Sequence, residues 1–262
     1  MTTDVARSIR RCRVPALTIA VFWLGQAGFV FKTPGGRVAY ADPYLSDSVE
    51  RLFGFKRIMA GVVAPREVRA DAVLVSHHHD DHLDVEAVPV IAARTRARFV
   101  APPQAAARLR ELGVEPQRIV EVREGAEAGL GFVAVHAVFA DHGELAPDAV
   151  GFVLDFGSTR VYLTGDTAYR PGRMAAAASM KPDLVIPVIN GAYGNMTPDD
   201  AAALTRDVGA RTAIPCHFWM FAEHGGDPAA FRAACARTAP QARVVVMTQG
   251  GCYLHGPQSR GV

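Results

Sequence analysis

Between residues 14 and 31 the chain is almost continuously apolar, broken chiefly by Gly25, Gln26 and Gly28. Phe29, Val30 and Phe31 then lead into Lys32, Thr33, Pro34, Gly35, Gly36 and Arg37, and a second apolar stretch follows at 38–41. Strands buried on both faces read as unbroken apolar runs, and Pro-Gly-Gly supplies a tight reversal, so the segment predicts a pair of buried strands. A basic stretch ending at Arg13 ahead of an apolar run also has the outline of a secretory leader or a membrane helix. The internal glycines, Gln26 and the lack of a small-x-small cleavage signature favour the strands.

Beyond this hairpin the pattern changes. Residues 43–70 carry Gly, Pro and scattered Arg without a period and predict irregular chain. Short β runs then alternate with helical stretches: a strand at 72–75, a helix near 85–97, a strand at 99–101, a helix at 104–112 ended by Gly113, and a strand at 118–122. In the second half, strands at 132–139, 151–155 and 160–164 form a meander, with Gly157-Ser158 as its last tight turn. A helix near 173–179 and a strand at 184–188 follow. The next helix has Thr197 as N-cap, Pro198 in its first position and Gly209 at its close. A strand at 212–215, a helix at 228–238 and a strand at 244–247 complete the series. Clustered strands with helices between them predict two packed β-sheets flanked by helices, in one domain spanning 1–262.

Composition narrows the class without naming a function. The 262 residues are 50% hydrophobic and 21% charged, enough for a large core and against disorder or a small disulfide scaffold. The formal charge of +2 comes partly from Arg7, Arg10, Arg11 and Arg13 and argues for no nucleic-acid partner. Cys12, Cys216, Cys235 and Cys252 stand singly and read as reduced, small buried hydrophobes of a cytoplasmic protein. With the apolar run assigned to strands, no membrane partner is expected.

Chemistry begins where the strand at 72–75 ends. Ser76 is followed by His77, His78, His79, Asp80, Asp81 and His82. Two apart in extended chain, His77 and His79 project to one face, and Asp81 and His82 can join them as the chain turns toward the next helix. Neutral imidazoles with a carboxylate suit Zn²⁺, with Mn²⁺ and Fe²⁺ as alternatives. Such a cluster capping an apolar strand serves no packing purpose.

This H-x-H-x-D-H segment resembles the central motif of the metallo-β-lactamase superfamily, and the resemblance extends over most of the chain. Trp23-Leu24-Gly25-Gln26-Ala27-Gly28-Phe29 resembles that superfamily's opening hairpin, Asp42-Pro43 its first loop and Gly165-Asp166-Thr167 its bridging-carboxylate motif. Within the superfamily the chain is most similar to the L-ascorbate-6-phosphate lactonase-like group, through Met59-Ala60-Gly61-Val62, Gly191-Ala192-Tyr193-Gly194 and Ile214-Pro215-Cys216-His217. The resemblance implies an α/β fold, the αβ/βα four-layer sandwich, with two divalent metal ions, Zn or Mn, at one edge. It implies His77 and His79 as ligands of the first metal, Asp81 and His82 as ligands of the second, and Asp166 as the bridge. His217, just past the strand at 212–215, matches the last ligand of the second metal. For the last ligand of the first metal the resemblance favours His142, in the loop after the strand at 132–139. The lactonases carry an acidic residue at this point, which keeps Asp141 as an alternative. His136 reads as a core histidine or a support behind a ligand, and His224 and His255 match nothing and read as surface residues.

A two-metal centre lowers the pKa of its water from about 15.7 toward 7, so hydroxide is available without a serine or cysteine nucleophile. Neither a G-x-S-x-G elbow nor a phosphate-binding glycine loop occurs. Asp81 is expected to relay a proton to the leaving group. Tyr193 and Asn195 are candidates to hydrogen-bond the substrate, with a merely packed Tyr193 as the alternative. Asp42 could orient a ligand imidazole, and Lys56 or Arg57 could hold a phosphate or carboxylate. The expected function is a metal-dependent hydrolase of a small-molecule substrate, foremost a lactonase acting on a small polar or phosphorylated sugar-derived lactone. The alternatives are a phosphodiesterase on the same metals, phospholipase-D-like or nuclease, and a non-enzymatic metal-binding member of the fold. A homo-oligomer is compatible with the sequence.

Overall fold

The computed structural model describes residues 3–256 and contains two seven-stranded sheets packed face to face. The first holds β1 (Ile19–Gly25), β2 (Gly28–Lys32), β3 (Val38–Ala41), β4 (Ala72–Leu74), β5 (Arg98–Ala101) and β6 (Ile119–Glu121) in chain order. The second holds β7 (Glu127–Gly129), β8 (Ala134–Phe139), β9 (Val150–Asp155), β10 (Arg160–Leu163), β11 (Leu184–Ile186), β12 (Thr212–Ala213) and β13 (Arg243–Val244). The last strand, β14 (Cys252–His255), returns to the first sheet and pairs antiparallel with β1, Ile19 opposite His255 and Phe22 opposite Cys252. Four helices accompany the first half: α1 (Asp4–Arg11), α2 (Ser48–Phe53), α3 (Ala87–Arg94) and α4 (Pro103–Glu111). Three accompany the second: α5 (Pro171–Ser179), α6 (Pro198–Val208) and α7 (Pro228–Thr238).

The unbroken apolar run is explained by burial on both faces of β1 and β2. Ile19, Val21, Trp23, Phe29 and Phe31 point between the sheets, into a core with Val135, Phe152 and Val161. Their neighbours Ala20, Phe22, Leu24 and Val30 face the helices, packing with Ile9 of α1, Ile91 of α3 and Leu109 of α4. On the far side, Met174, Leu204 and Phe231 of α5, α6 and α7 cover the second sheet. Each large side chain so buried contributes about 1.5–3 kcal/mol. The layers are therefore helix, sheet, sheet, helix, the metallo-β-lactamase fold.

Several elements differ from the sequence-based expectation. β1 begins at Ile19, and the basic segment before it forms α1, capped by Thr3 and held at its C-terminal end by Lys32 Nζ, which donates to the carbonyls of Ile9 and Arg10 at 2.8 and 2.9 Å. The irregular stretch 43–70 contains α2. The strand expected at 244–247 is reduced to the edge strand β13. Among the cysteines, Cys216 and Cys235 are buried, whereas Cys252 is exposed.

β3, β4 and β5 run parallel, as do β10 to β13, so loops leaving their C-terminal ends gather along one edge. The sheets touch there: Val150 N donates to Ser76 O at 3.0 Å, tying the start of β9 to the loop after β4.

Candidate metal centre and its cavity

Each motif residue sits just past a strand end. Asp42 follows β3, the 76–82 loop follows β4, His142 follows β8, Asp166 follows β10, and His217 follows β12. The 76–82 loop is pinned from outside by Arg108 of α4, which donates to His78 O at 2.8 Å and to Asp80 Oδ1 at 2.7 Å. Gly165 lets the chain turn inward: its φ is +61°, and a Cβ there would lie 2.8 Å from Val150 O. Asp42, His217, Gln26 and Tyr193 also have positive φ, at 43°, 61°, 51° and 54°. Non-glycine residues rarely take this conformation, and it clusters at functional sites.

The side chains converge. His77 Nε2 lies 3.0 Å from His79 Nδ1, and His142 Nε2 lies 3.3 Å from the same nitrogen. Asp166 Oδ1 is 3.2 Å from His82 Nε2, while its Oδ2 is 3.2 Å from His217 Nε2 and 3.8 Å from His142 Nε2. Asp81 Oδ2 is 3.4 Å from His217 Nε2. The second ring nitrogens are held from behind. His82 Nδ1 meets Asp42 Oδ2 at 2.9 Å, His77 Nδ1 meets Ser76 Oγ at 3.0 Å, and His79 Nε2 meets Leu145 O at 3.1 Å. Asp42 is itself fixed by Ser76 N and Oγ, at 2.7 and 2.6 Å.

Burial and mutual charge set the protonation preferences. Burial would raise the Asp166 carboxyl, but His217 and His82 outweigh it and hold it well below the usual range; Asp81 is held down in the same way by His82 and His217. Burial would lower His217, but Asp166 and Asp81 push it up to about 9, and His82 is likewise raised by Asp166, Asp81 and Asp42. At the other end of the cluster burial dominates, lowering His77 strongly and His142 to about 4.

Above the cluster opens a cavity of about 390 Å³. His79, Asp81, His142, Asp166 and His217 form its floor, and Val49, Phe53, Phe55, Leu145, Tyr193 and Phe221 its walls. No lysine or arginine of the described residues lines it.

Residues 41–218 match the family model of the Beta-lactamase superfamily domain, a span that includes Asp42 and His217. A UPF0173 metal-dependent hydrolase of Cupriavidus taiwanensis is 30% identical over 252 residues, covering 88% of this chain and 84% of that protein. The chain belongs to this family. Among solved structures, the metallo hydrolase Igni18 of Ignicoccus hospitalis superposes with a TM-score of 0.73 at 21% identity, over 92% of this chain and 100% of its own. An isothiocyanate hydrolase from Delia radicum gut bacteria does so with 0.74 at 18% identity, over 90% and 99%. Both share the fold.

The structure brings together His77, His79, Asp81, His82, His142, Asp166 and His217, with Asp42 behind His82 and His224 within ligand distance of Asp81 and His217. Asn195 is also present, but its Nδ2 donates to Asp166 Oδ2 at 2.7 Å and so holds a carboxylate of the cluster. Tyr193 is on the cavity wall and 47% exposed. Arg57 points elsewhere. Its guanidinium donates to Ser46 O at 2.7 Å and Met59 O at 3.1 Å and lies over the Tyr44 ring, so it braces the loop and does not face the cavity. Lys56 is exposed. Asp141 accepts from Arg170 at 2.7 Å, and His136 pairs with Glu127 at 3.5 Å; neither joins the cluster. Two expectations for surface histidines are corrected. His255 is buried in β14, and His224 is half-buried in the cavity wall, stacked on His217 at 5.0 Å. Sequence reasoning also passed over Gln26, whose one signal was a polar residue inside an otherwise buried hairpin.

Proposed function

We propose that this protein is a metal-dependent hydrolase of a small neutral acyl compound, a lactone or ester with an apolar body. The observation that carries the reading is a His/Asp cluster at the floor of a cavity walled by Phe53, Phe55, Phe221, Val49 and Leu145, with no lysine or arginine among the described residues lining it. A phosphorylated sugar lactone would call for a positive partner, and Arg57, the residue considered for it, serves the loop backbone instead.

The cluster fits a pair of divalent ions. His82 Nε2 and Asp166 Oδ1 are buried without a hydrogen-bond partner, and facing donor atoms stand 3.0 to 3.8 Å apart. Ligands of a tetrahedral ion with bonds near 2.0–2.1 Å are separated by about 3.4 Å. His77, His79 and His142 would hold one ion and Asp81, His82 and His217 the other, with Asp166 between them. Bound there, the ions would supply Lewis acidity and a hydroxide nucleophile at neutral pH. Asp42 and Ser76 keep His82 and His77 aimed at the centre, and Asn195 fixes the rotation of the Asp166 carboxylate. Asp81, 15% exposed on the floor, is the carboxylate placed to take a proton from the attacking water and return it to the departing alkoxide. The apolar walls hold the body of the substrate and exclude bulk water, and the Tyr193 hydroxyl offers a hydrogen bond at the rim.

The test is turnover by zinc- or manganese-reconstituted protein across separate panels of neutral lactones and esters, phosphorylated lactones, phosphodiesters and isothiocyanates. Isothiocyanates enter because the hydrolase that shares this fold is named for them and because they, too, are neutral and apolar. Preference for the neutral lactones and esters is expected. Turnover confined to the phosphorylated compounds would overturn the reading.

A further inference from the structure

We infer that Gln26 and His224 together present a fixed hydrogen-bond donor, His224 Nε2–H, to an oxygen of the substrate beside Asp81 and His217. The nature of that substrate rests on the hydrolase reading above; the donor rests on geometry alone.

Gln26 is fully buried in the turn between β1 and β2. Its Nε2 stands 2.7 Å from Asp81 Oδ2, 3.0 Å from His217 Nε2 and 3.2 Å from His224 Nδ1. A side-chain amide nitrogen carries two hydrogens, and a carboxylate oxygen only accepts. One hydrogen therefore goes to Asp81, which also decides which end of the amide faces inward, since an amide oxygen there would confront a carboxylate oxygen. His217 Nε2 already faces the carboxylates of Asp166 and Asp81 at 3.2 and 3.4 Å. The second hydrogen is left for His224 Nδ1. A neutral imidazole that accepts at one nitrogen carries its proton on the other, so His224 is protonated at Nε2.

That nitrogen has no hydrogen-bond partner among the described residues, and the ring it belongs to forms part of the cavity wall. The ring plane is clamped on several sides. His217 stacks at 5.0 Å with an interplanar angle of 11°, Phe221 meets it edge-on at 5.0 Å, and Phe55 meets it edge-on at 6.3 Å. A donor fixed in tautomer and orientation before the substrate arrives needs no reorganisation when charge develops on the substrate oxygen, which is where such groups act most strongly. Gln26 is a positioning residue, acting through His224.

Two-bond ¹H–¹⁵N correlation spectra of the zinc-loaded protein read the tautomer directly. A bare Nδ1 and a protonated Nε2 are expected at His224, with that preference lost in Gln26→Leu. The His224→Phe variant keeps a ring for the aromatic contacts. It should retain the wild-type zinc content by elemental analysis, bind a neutral lactam analogue about 10-fold more weakly, and lose roughly 100-fold in kcat/KM on whichever lactone or ester is turned over. His224→Gln, which returns an N–H, should recover part of both. A protonated Nδ1, loss of zinc from His224→Phe, or unchanged lactam affinity would each overturn the inference. Absence of turnover by wild-type protein in every panel would instead count against the hydrolase reading, with the tautomer and zinc measurements still deciding the donor.

Discussion

Asp166 faces His82, His142, His217 and Asn195 at once, between the two ends of the cluster. Asp166→Asn preserves volume and removes the charge. The variant should fold, as judged by circular dichroism, while holding metal at least about 10-fold more weakly and losing several orders of magnitude in turnover. Near-normal metal content and rate would remove Asp166 from the centre. His217 adds a pH signature. Its folded pKa of about 9 lies above its ordinary 6.5, so in chelator-treated protein the proton it shares with Asp166 and Asp81 stabilises the fold fully below pH 6.5 and progressively less as pH rises through 9. His142 and His224, lowered to about 4 by burial, are neutral across this window and do not mask it. The Tm of stripped protein should therefore decline between pH 6.5 and 9, and His217→Gln should make that decline shallower, leaving the part that comes from His82, which is also raised. At this scale the gathering of His77 to His82 was legible because they are neighbours in the chain, whereas His142, Asp166 and His217 stand alone in the sequence and were marked only by the family resemblance. His224 was not legible, because its hydrogen-bond partner Gln26 lies in the hairpin turn between β1 and β2, almost 200 residues away, and is brought to it only by the fold.

Among the elements, the start of the loop that carries α2 and part of the cavity wall is held by one carboxylate. Asp84 Oδ2 accepts from Leu45 N and Ser46 N at 2.8 and 2.7 Å, while Oδ1 accepts from Ser46 Oγ, Glu86 N and Ala87 N, the last two at the start of α3. Asp84→Ala would leave these donors without their partner, the buried Leu45 and Ala87 N–H groups among them, at a cost of about 3 kcal/mol. Denaturant unfolding should show that loss, and KM for an apolar substrate should rise as Val49 and Phe53 lose their support; unchanged stability would show that the loop is held by something else. This organisation was hidden in the sequence because residues 43–70 have no period and part of their order comes from a carboxylate in another segment. β1 and β2 were legible because burial on both faces leaves a continuous apolar run. The strand at 244–247 failed for the opposite reason, since β13 is a short, half-exposed edge.

For the whole molecule, the cluster joins the two sheets. Asp42 and the 76–82 loop leave the first, and His142, Asp166 and His217 leave the second. Ions bound there would link the two halves of the sandwich and stabilise the folded state by mass action, about 2.7 kcal/mol at a free concentration 100 times Kd. Chelation should lower Tm measurably and stoichiometric Zn²⁺ should restore it; a Tm indifferent to chelator would mean that no ion bridges the sheets. The layered fold was readable from the rhythm of strands and helices. The partnering of β14 with β1 was not, because four residues at one end of a chain carry no mark of a strand at the other.

That pairing has a bearing on how the chain is made. Strands β7 to β13 are contiguous in sequence, so the second sheet can complete itself as soon as its last strand leaves the ribosome. The first sheet must wait: β1 emerges early and keeps one backbone edge open until residues 252–255 follow. Closing so distant a contact is slow, and an open apolar edge invites other chains to pair with it. A stalled or trimmed chain lacking β14 would thus be exposed to aggregation through β1, even with every residue of the metal cluster already synthesised.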